Sequence, residues 1–196
     1  MMKSDIILAG VGGQGILSIA AAIGMAALED NLFLKQAEVH GMSQRGGAVQ
    51  SHLRLSNEDV ASDLIPMGKA DLILSVEPME ALRYVPWLSK DGWLVTNTAS
   101  FVNISNYPDR ETILGEIRKM PRHITIDADK IAEEIGSSRS SNIVMLGAAS
   151  RFIPLSVGNF HEGIRKIFGK KGEDIIKINI IAFEAGRTAC EHYLDK

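Results

Sequence analysis

A glycine-rich segment near the amino terminus is the part of the sequence best suited to chemistry. Gly10, Gly12 and Gly15 follow the pattern G-x-G-x-x-G between a predicted strand and a predicted helix. Glycines allow a sharp turn and a close approach of backbone N–H groups to a phosphate, and the following helix presents its positive amino terminus. The pattern predicts a phosphate-compatible, cofactor-binding turn made of Gly10, Gly12, Gly13, Gln14 and Gly15.

The glycine turn alone leaves three interpretations open. Glu38 lies 23 residues after Gly15, near the place where dinucleotide-binding folds keep the acid that binds the ribose, and this favours NAD or FAD. The second interpretation is the phosphate of another ligand. The third is a turn that only lets a strand and a helix pack closely, with no ligand at all.

A second segment, residues 38–54, concentrates cationic and polar side chains on a glycine-rich backbone. Between Val39 and Asn57 it contains no acid, but it contains two arginines and two histidines. Such a segment between predicted strands indicates a surface that meets a specific ligand or partner, and the alternative is an exposed hairpin loop. We expect four of its residues to face the glycine turn or a partner: His40, Ser43, Gln44 and Arg45.

Composition excludes several function classes. The chain has 21 Lys and Arg against 24 Asp and Glu, a net charge of −3, so it has no global basic field for nucleic acid or an anionic membrane. Its single cysteine, Cys190, can build neither a disulfide framework nor a cysteine-ligated zinc or iron–sulfur site within one chain. Glu38, His40 and His52 suit a metal by residue type, but no ligand spacing supports that site.

The hydrophobic pattern predicts where the chain is located. The first apolar run, residues 6–9, is much shorter than the core of a signal peptide. No later stretch approaches the roughly 18–20 apolar residues that cross a membrane. We therefore expect a cytoplasmic protein.

Strands alternate with helices along the first two thirds of the chain. Apolar runs predict strands over residues 5–10, 32–39, 48–55, 71–76, 92–97 and 122–126. After residue 127 the pattern turns helical, with helices over 127–135, 142–152, 157–168 and 174–194. These elements predict a three-layer α/β/α sandwich, Rossmann-like, around a largely parallel or mixed sheet. With 196 residues we expect a single domain, 1–196, whose helical C-terminal part covers about 127–196.

The predicted helix over residues 16–28 is apolar almost all round, so packing on a sheet alone would not use all its faces. We expect this helix to contact a partner subunit, or a second copy of the chain as a homodimer when the protein is isolated. The alternative is a helix enclosed within one chain, between the sheet and the C-terminal helices.

Together, the two polar motifs resemble a known family. The segments GVGGQG (10–15) and EVHGMSQRGGAVQSHLR (38–54) are similar to the gamma-type subunits and domains of 2-oxoacid ferredoxin oxidoreductases, and among them to beta subunits of indolepyruvate ferredoxin oxidoreductases. Asn97 with Thr98, and NIVMLG at 142–147, also resemble the family, so the resemblance covers most of the first 150 residues. It adds Asn97 to the expected cofactor-binding residues, whereas FVNISNYP (101–108) does not match the family pattern.

The resemblance implies an enzyme that decarboxylates an aryl 2-oxoacid on thiamine diphosphate, sends electrons through iron–sulfur clusters to ferredoxin and passes the acyl group to coenzyme A. This chain can hold few of those parts. Its only Asp-Gly pair, Asp91-Gly92, follows Lys90 and so lacks the G-D-G of thiamine diphosphate sites, and a cluster needs about four cysteines. Thiamine diphosphate, magnesium and the clusters are therefore expected in a large catalytic alpha subunit.

What remains for this chain is the role of a non-redox subunit that completes the active site and is a candidate to contact coenzyme A. The isolated chain is expected to be inactive. No nucleophilic triad is visible, since the sequence lacks G-x-S-x-G and its five histidines have no local catalytic context, and we name no catalytic residue. Two alternatives stay open. One is a stand-alone NAD- or flavin-dependent oxidoreductase, and the other is a non-catalytic binding module that kept the fold.

Overall fold

The fold is described from a computed structural model, which covers residues 2–41 and 46–195. Six strands and seven helices are present in these ranges. In chain order they are β1 (Lys3–Val11), α1 (Ile16–Glu29), β2 (Phe33–His40), β3 (Ala48–Ser56), β4 (Ala70–Ser75), α2 (Pro78–Arg83), β5 (Leu88–Asn97), α3 (Arg110–Arg118), β6 (His123–Ile126), α4 (Ala128–Glu134), α5 (Ser141–Ala149), α6 (Val157–Phe168) and α7 (Glu173–Leu194).

The strands form one mixed sheet in the order β2-β3-β1-β4-β5-β6. Strands β1, β4, β5 and β6 run parallel, whereas β3 is antiparallel to both β1 and β2. The expected Rossmann-like α/β class with a mixed sheet is confirmed, and the antiparallel β3 is what makes the sheet mixed.

Helices cover both faces of the sheet, so the molecule has three layers. On one face, Ile6 and Leu8 of β1 face a core formed with α1 and α4–α7. On the other face, Ile7 and Ala9 face a smaller core that includes residues of α2 and α3. The alternation of these apolar side chains along β1 explains why the strand is buried from Ser4 onward.

Helix α1 is largely enclosed, but one stripe of it is exposed. It packs between the sheet and α6, where a Cβ on Gly163 would lie 2.6 Å from the Ala22 carbonyl oxygen. On its outer side Leu17, Met25 and Leu28 are 54%, 38% and 56% exposed. The alternative of an enclosed helix is therefore correct for most of α1, and an association surface on the exposed stripe stays a prediction.

Two elements differ from the sequence expectations. Strand β5 begins at Leu88, four residues before the predicted start at Gly92. Helix α3 is not expected from the sequence, because it is short and buries only Ile113, Leu114 and Ile117. An apolar set of that size does not give a helical period that stands out from a loop.

Candidate functional site

The glycine turn lies at the carboxyl end of β1, next to the point where the chain connections diverge. From β1 the chain continues through α1 on one face of the sheet, and from the adjacent parallel strand β4 it continues through α2 on the other face. Ligands of open α/β sheets bind at such a switch point. The predicted position of the turn is confirmed, with one correction: Gly10 belongs to β1 itself, where it pairs with Val49, so the turn proper is Gly12–Gly15.

Hydrogen bonds hold the turn in place. Gly13 and Gly15 have φ of 103° and 80°, which side-chain-bearing residues rarely adopt. The Gln14 side chain folds back, and its Oε1 accepts a hydrogen bond from Val11 N–H at 2.8 Å. Gly12 N–H donates to the Gly47 carbonyl at 2.8 Å. The Gly12 amide thus holds the 46–47 backbone, and the Gln14 N–H closes the turn by donating to the Val11 carbonyl at 3.1 Å.

Gly10 and Gly15 are glycines because neighbouring elements come very close. A Cβ on Gly10 would lie 2.4 Å from Cγ2 of Val76. A Cβ on Gly15 would lie 2.5 Å from Nδ2 of Asn142, and this amide donates to the Gly15 carbonyl at 3.1 Å. The close-packing interpretation of the turn is therefore correct for Gly10. The contact between Gly15 and Asn142 places the start of α5 directly against the start of α1.

A cavity of about 550 Å³ opens on one side of the glycine turn. Its walls are residues 13–15 of the turn, the serine-rich segment 137–142, and residues near the start of α7. Arg139 and Lys171 bring two cations to it, and none of the lining residues within the described part of the chain is acidic. The first turn of α1 also has no side-chain cap there. Free helix N–H groups, cations and hydroxyls together suit an anion.

A second cavity, of about 340 Å³, lies on the other side of the same turn. It brings Gly12, Gly13 and Gly15 together with Glu38 and His40 at the end of β2. The His40 Nε2 atom lies 2.8 Å from the Glu38 carboxylate. The predicted proximity of His40 to the glycine turn is thus what the structure has.

The environment of Glu38 does not favour the dinucleotide interpretation. In dinucleotide-binding folds the strand that carries the ribose-binding acid is parallel to β1 and adjacent to it. Here the antiparallel β3 lies between β1 and β2. Glu38 is therefore two strands away from β1, and its carboxylate is paired with His40.

The remaining expected residues have separate outcomes. Ser43, Gln44 and Arg45 lie outside the described residues, so their place at the site stays a prediction. Asn97 ends β5 and is buried, and its Oδ1 accepts hydrogen bonds from the backbone N–H of Ala99 and Ala128. It lines neither of the two cavities, and a direct role in ligand binding stays a prediction.

Two cationic residues of the 38–54 segment, Arg54 and His52, lie on β3 and contact the 57–69 loop that follows it. Arg54 forms a buried ion pair with Asp5, with Nε 2.8 Å from Oδ1, and it donates to the carbonyls of Ser62 and Leu64. His52 is also buried, and its Nδ1 accepts the Ile65 N–H at 3.0 Å. Burial, followed by the charge of Arg54, lowers the pKa of His52. Both residues hold the 57–69 loop and are distant from the glycine turn.

The sequence reasoning missed three features at the carboxyl edge. One is the run of four serines around Arg139 at 137–141, which could have been noticed because it immediately precedes a predicted helix. The second is Lys171, which the fold brings to the cavity from a distant turn and which no local signal marks. The third is Glu77, which follows the apolar run 71–76 at the carboxyl end of β4, where ligand sites of open α/β sheets lie.

Glu77 is a fully buried carboxylate that joins three segments. It caps α2 by accepting the Glu80 N–H at 2.8 Å. Its other oxygen accepts hydrogen bonds from the Phe101 N–H at 3.3 Å and from the Tyr107 hydroxyl. Burial and the Glu77 contact raise the pKa of Tyr107 far above its usual value, so this hydroxyl stays protonated.

Two kinds of site are not found within the described ranges. No group of three or more His, Cys, Asp and Glu side chains is arranged to hold a metal ion there. None of the helices described is long and apolar enough to cross a membrane.

The fold defines an α/β chain with a glycine turn and two cavities at the carboxyl ends of the parallel strands. The chain belongs to the pyruvate ferredoxin/flavodoxin oxidoreductase family, whose model matches residues 5–189. It is 37% identical to indolepyruvate oxidoreductase subunit IorB of Archaeoglobus fulgidus, over 94% of each chain. It is 38% identical to the subunit of the same name from Pyrococcus horikoshii, over 100% of each chain.

A solved structure shares the fold. The 2-oxoglutarate:ferredoxin oxidoreductase of Magnetococcus marinus, with 2-oxoglutarate, coenzyme A and succinyl-CoA bound, superposes with a TM-score of 0.78 at 23% identity. The match covers 98% of this chain but only 32% of that chain. The same fold is thus one part of a longer polypeptide there.

Proposed function

We propose that this chain is the small, non-redox subunit of an indolepyruvate-type 2-oxoacid:ferredoxin oxidoreductase, and that it contributes a coenzyme A contact to the complex. The relatives that share its full length support the first part, because they bear the name of indolepyruvate oxidoreductase subunits. The solved structure with coenzyme A and succinyl-CoA bound supports the second part, because 32% of its chain has the fold described above.

The observation that carries the coenzyme A contact is the 550 Å³ cavity beside the glycine turn. Coenzyme A is polyanionic, and the chain as a whole has a net charge of −3. An anionic ligand therefore needs a local cationic site. Arg139, Lys171 and the amino-terminal turn of α1 provide one, and we assign a phosphate of coenzyme A to it.

The other cofactors of such an enzyme do not fit this chain. Iron–sulfur clusters need about four cysteine ligands each. The only cysteine here, Cys190, is fully buried, and burial raises its pKa to about 11, so it is not a thiolate ligand. We assign the clusters, thiamine diphosphate and magnesium to a large catalytic alpha subunit, and ferredoxin would contact the complex through that subunit. A cytoplasmic location is part of the same proposal.

The test is equilibrium binding of coenzyme A and of dephospho-coenzyme A to the full chain and to its complex with the alpha subunit. Replacing Arg139 and Lys171 by alanine should weaken coenzyme A binding by about ten-fold or more, because each charged hydrogen bond to a phosphate is strong. Lys170→Ala is the matched control, since Lys170 is exposed next to Lys171 but does not line the cavity. Equal affinities in the double variant and the control would refute the assignment.

A further inference from the structure

The loop that joins β5 to α3, residues 98–109, spans the carboxyl edge of the sheet between two fixed points. On one side, the Phe101 N–H and the Tyr107 hydroxyl, which flank the middle of the loop, donate to the buried Glu77. Between them, Asn103 Nδ2 donates to the Gly46 carbonyl at 2.6 Å. No motif in residues 101–108 predicted this connection from the sequence.

The contact with Gly46 leads directly to the glycine turn. The Gly46 N–H donates to the Gly12 carbonyl at 3.3 Å, and the Gly12 N–H donates to the Gly47 carbonyl at 2.8 Å. A continuous series of hydrogen bonds therefore runs from Glu77, through the β5–α3 loop, to the first residue of the turn. Both cavities have this turn as a wall.

The burial of Glu77 is costly and calls for an explanation. A carboxylate out of water is unfavourable unless its oxygens are well bonded. Glu77 is 0% exposed, and within the part of the chain that the structure describes it takes part in no ion pair. Its donors are two backbone N–H groups and a phenol. Capping of the six-residue helix α2 needs only one of these hydrogen bonds.

We propose that Glu77 is a positioning residue for the ligand site. Through Phe101 and Tyr107 it holds the β5–α3 loop, and through Asn103 of that loop it holds the 46–47 backbone against the glycine turn. The coenzyme A contact of the proposed function depends on a turn fixed in this way, and to that extent the inference rests on the proposed function. The positioning itself is a property of the chain alone.

The first test is amide hydrogen exchange at Gly12, measured by NMR on the full chain. Glu77→Ala risks failing to fold, so the test uses Tyr107→Phe and Asn103→Ala, with Asn106→Ala as the matched control in the same exposed loop. Loss of either the Tyr107–Glu77 or the Asn103–Gly46 hydrogen bond should speed amide exchange at Gly12 by about three- to ten-fold. This factor corresponds to the free energy of one modest hydrogen bond. Glu77→Gln, which keeps an acceptor oxygen, should have a smaller effect. Unchanged exchange in both test variants would overturn the inference.

The second test is a comparison of kinetic constants in the reconstituted complex. Tyr107→Phe and Asn103→Ala should raise the KM for coenzyme A by a similar factor, while the kcat and the KM for the 2-oxoacid stay at the values of Asn106→Ala. Faster exchange with an unchanged KM for coenzyme A would refute the role of positioning at the ligand site. If the native chain does not affect coenzyme A binding at all, the proposed function fails, and the exchange experiment still decides whether Glu77 positions the turn.

Discussion

His40 and His52 lie in one cationic segment of the sequence, and the structure gives them different surroundings. His40 is exposed at the end of β2, with its Nε2 2.8 Å from the Glu38 carboxylate. His52 is buried within β3, and its Nδ1 accepts a hydrogen bond from the Ile65 N–H. Residue type and spacing could indicate that the segment is special. They could not separate the two roles, because His40 ends β2 whereas His52 lies within β3, and the burial of each depends on which elements pack against these strands.

The buried His52 makes stability depend on pH. Its pKa is lowered in the folded chain, so the unfolded chain binds the proton more tightly. The free energy of unfolding should therefore be constant above the ordinary histidine pKa of 6.5, and it should fall as the pH drops below that value toward the lower folded pKa. Urea unfolding between pH 5 and pH 8 measures this dependence.

The variant that tests the cause is His52→Asn, since its amide oxygen can replace the Nδ1 acceptor but does not titrate. We expect a flatter pH profile for this variant than for the native chain. His192→Asn, at an exposed site near the end of α7, should keep the native profile. A native profile in His52→Asn would show that other groups cause the loss of stability.

At the scale of elements, the strands and long helices were predictable from apolar periodicity, and the contacts between elements were not. The run of apolar residues in β1 and the stripe along α7 carry their own signals. The position of Lys171 beside the glycine turn carries none, because it depends on how α6 and α7 pack against the sheet. The same holds for Glu77, whose partners lie 24 and 30 residues further along the chain.

The crossing of α5 and α7 gives a prediction about packing. A Cβ on Gly147 would lie 1.9 Å from the Phe183 carbonyl oxygen, and one on Gly186 would lie 1.9 Å from that of Val144. The two helices can approach this closely only because both positions are glycine. Gly147→Ala should therefore destabilise the chain by about 2–3 kcal/mol through overpacking, as measured by urea unfolding.

Gly115→Ala is the matched control for this experiment. Gly115 lies within α3, and a Cβ there would meet no atom within 4 Å. Alanine at that position should stabilise the chain by about 0.5–1 kcal/mol, because it reduces the entropy of the unfolded chain. If both variants destabilise the chain to the same extent, the close crossing of α5 and α7 is not the cause.

At the scale of the whole molecule, the carboxyl edge of the sheet brings together the features on which the proposed ligand site depends. The glycine turn, the two cavities and the β5–α3 loop all lie there. The loop also exposes Phe101, Val102 and Ile104. Its neighbour of known structure uses the same fold as one third of a longer chain, so in that protein the fold is covalently attached to further polypeptide. For this chain, a contact with a separate alpha subunit and a homodimer of the isolated chain both stay predictions.

The most direct measurement of the central claim is a reconstitution assay with the candidate alpha subunit. Ferredoxin reduction and acyl-coenzyme A formation would be followed with indolepyruvate and coenzyme A, for each subunit alone and for the two combined. We predict no turnover by this chain alone, and coenzyme A-dependent turnover when it is added to the alpha subunit. An alpha subunit that is fully active without this chain, or turnover by this chain alone with a nicotinamide or flavin cofactor, would contradict the account.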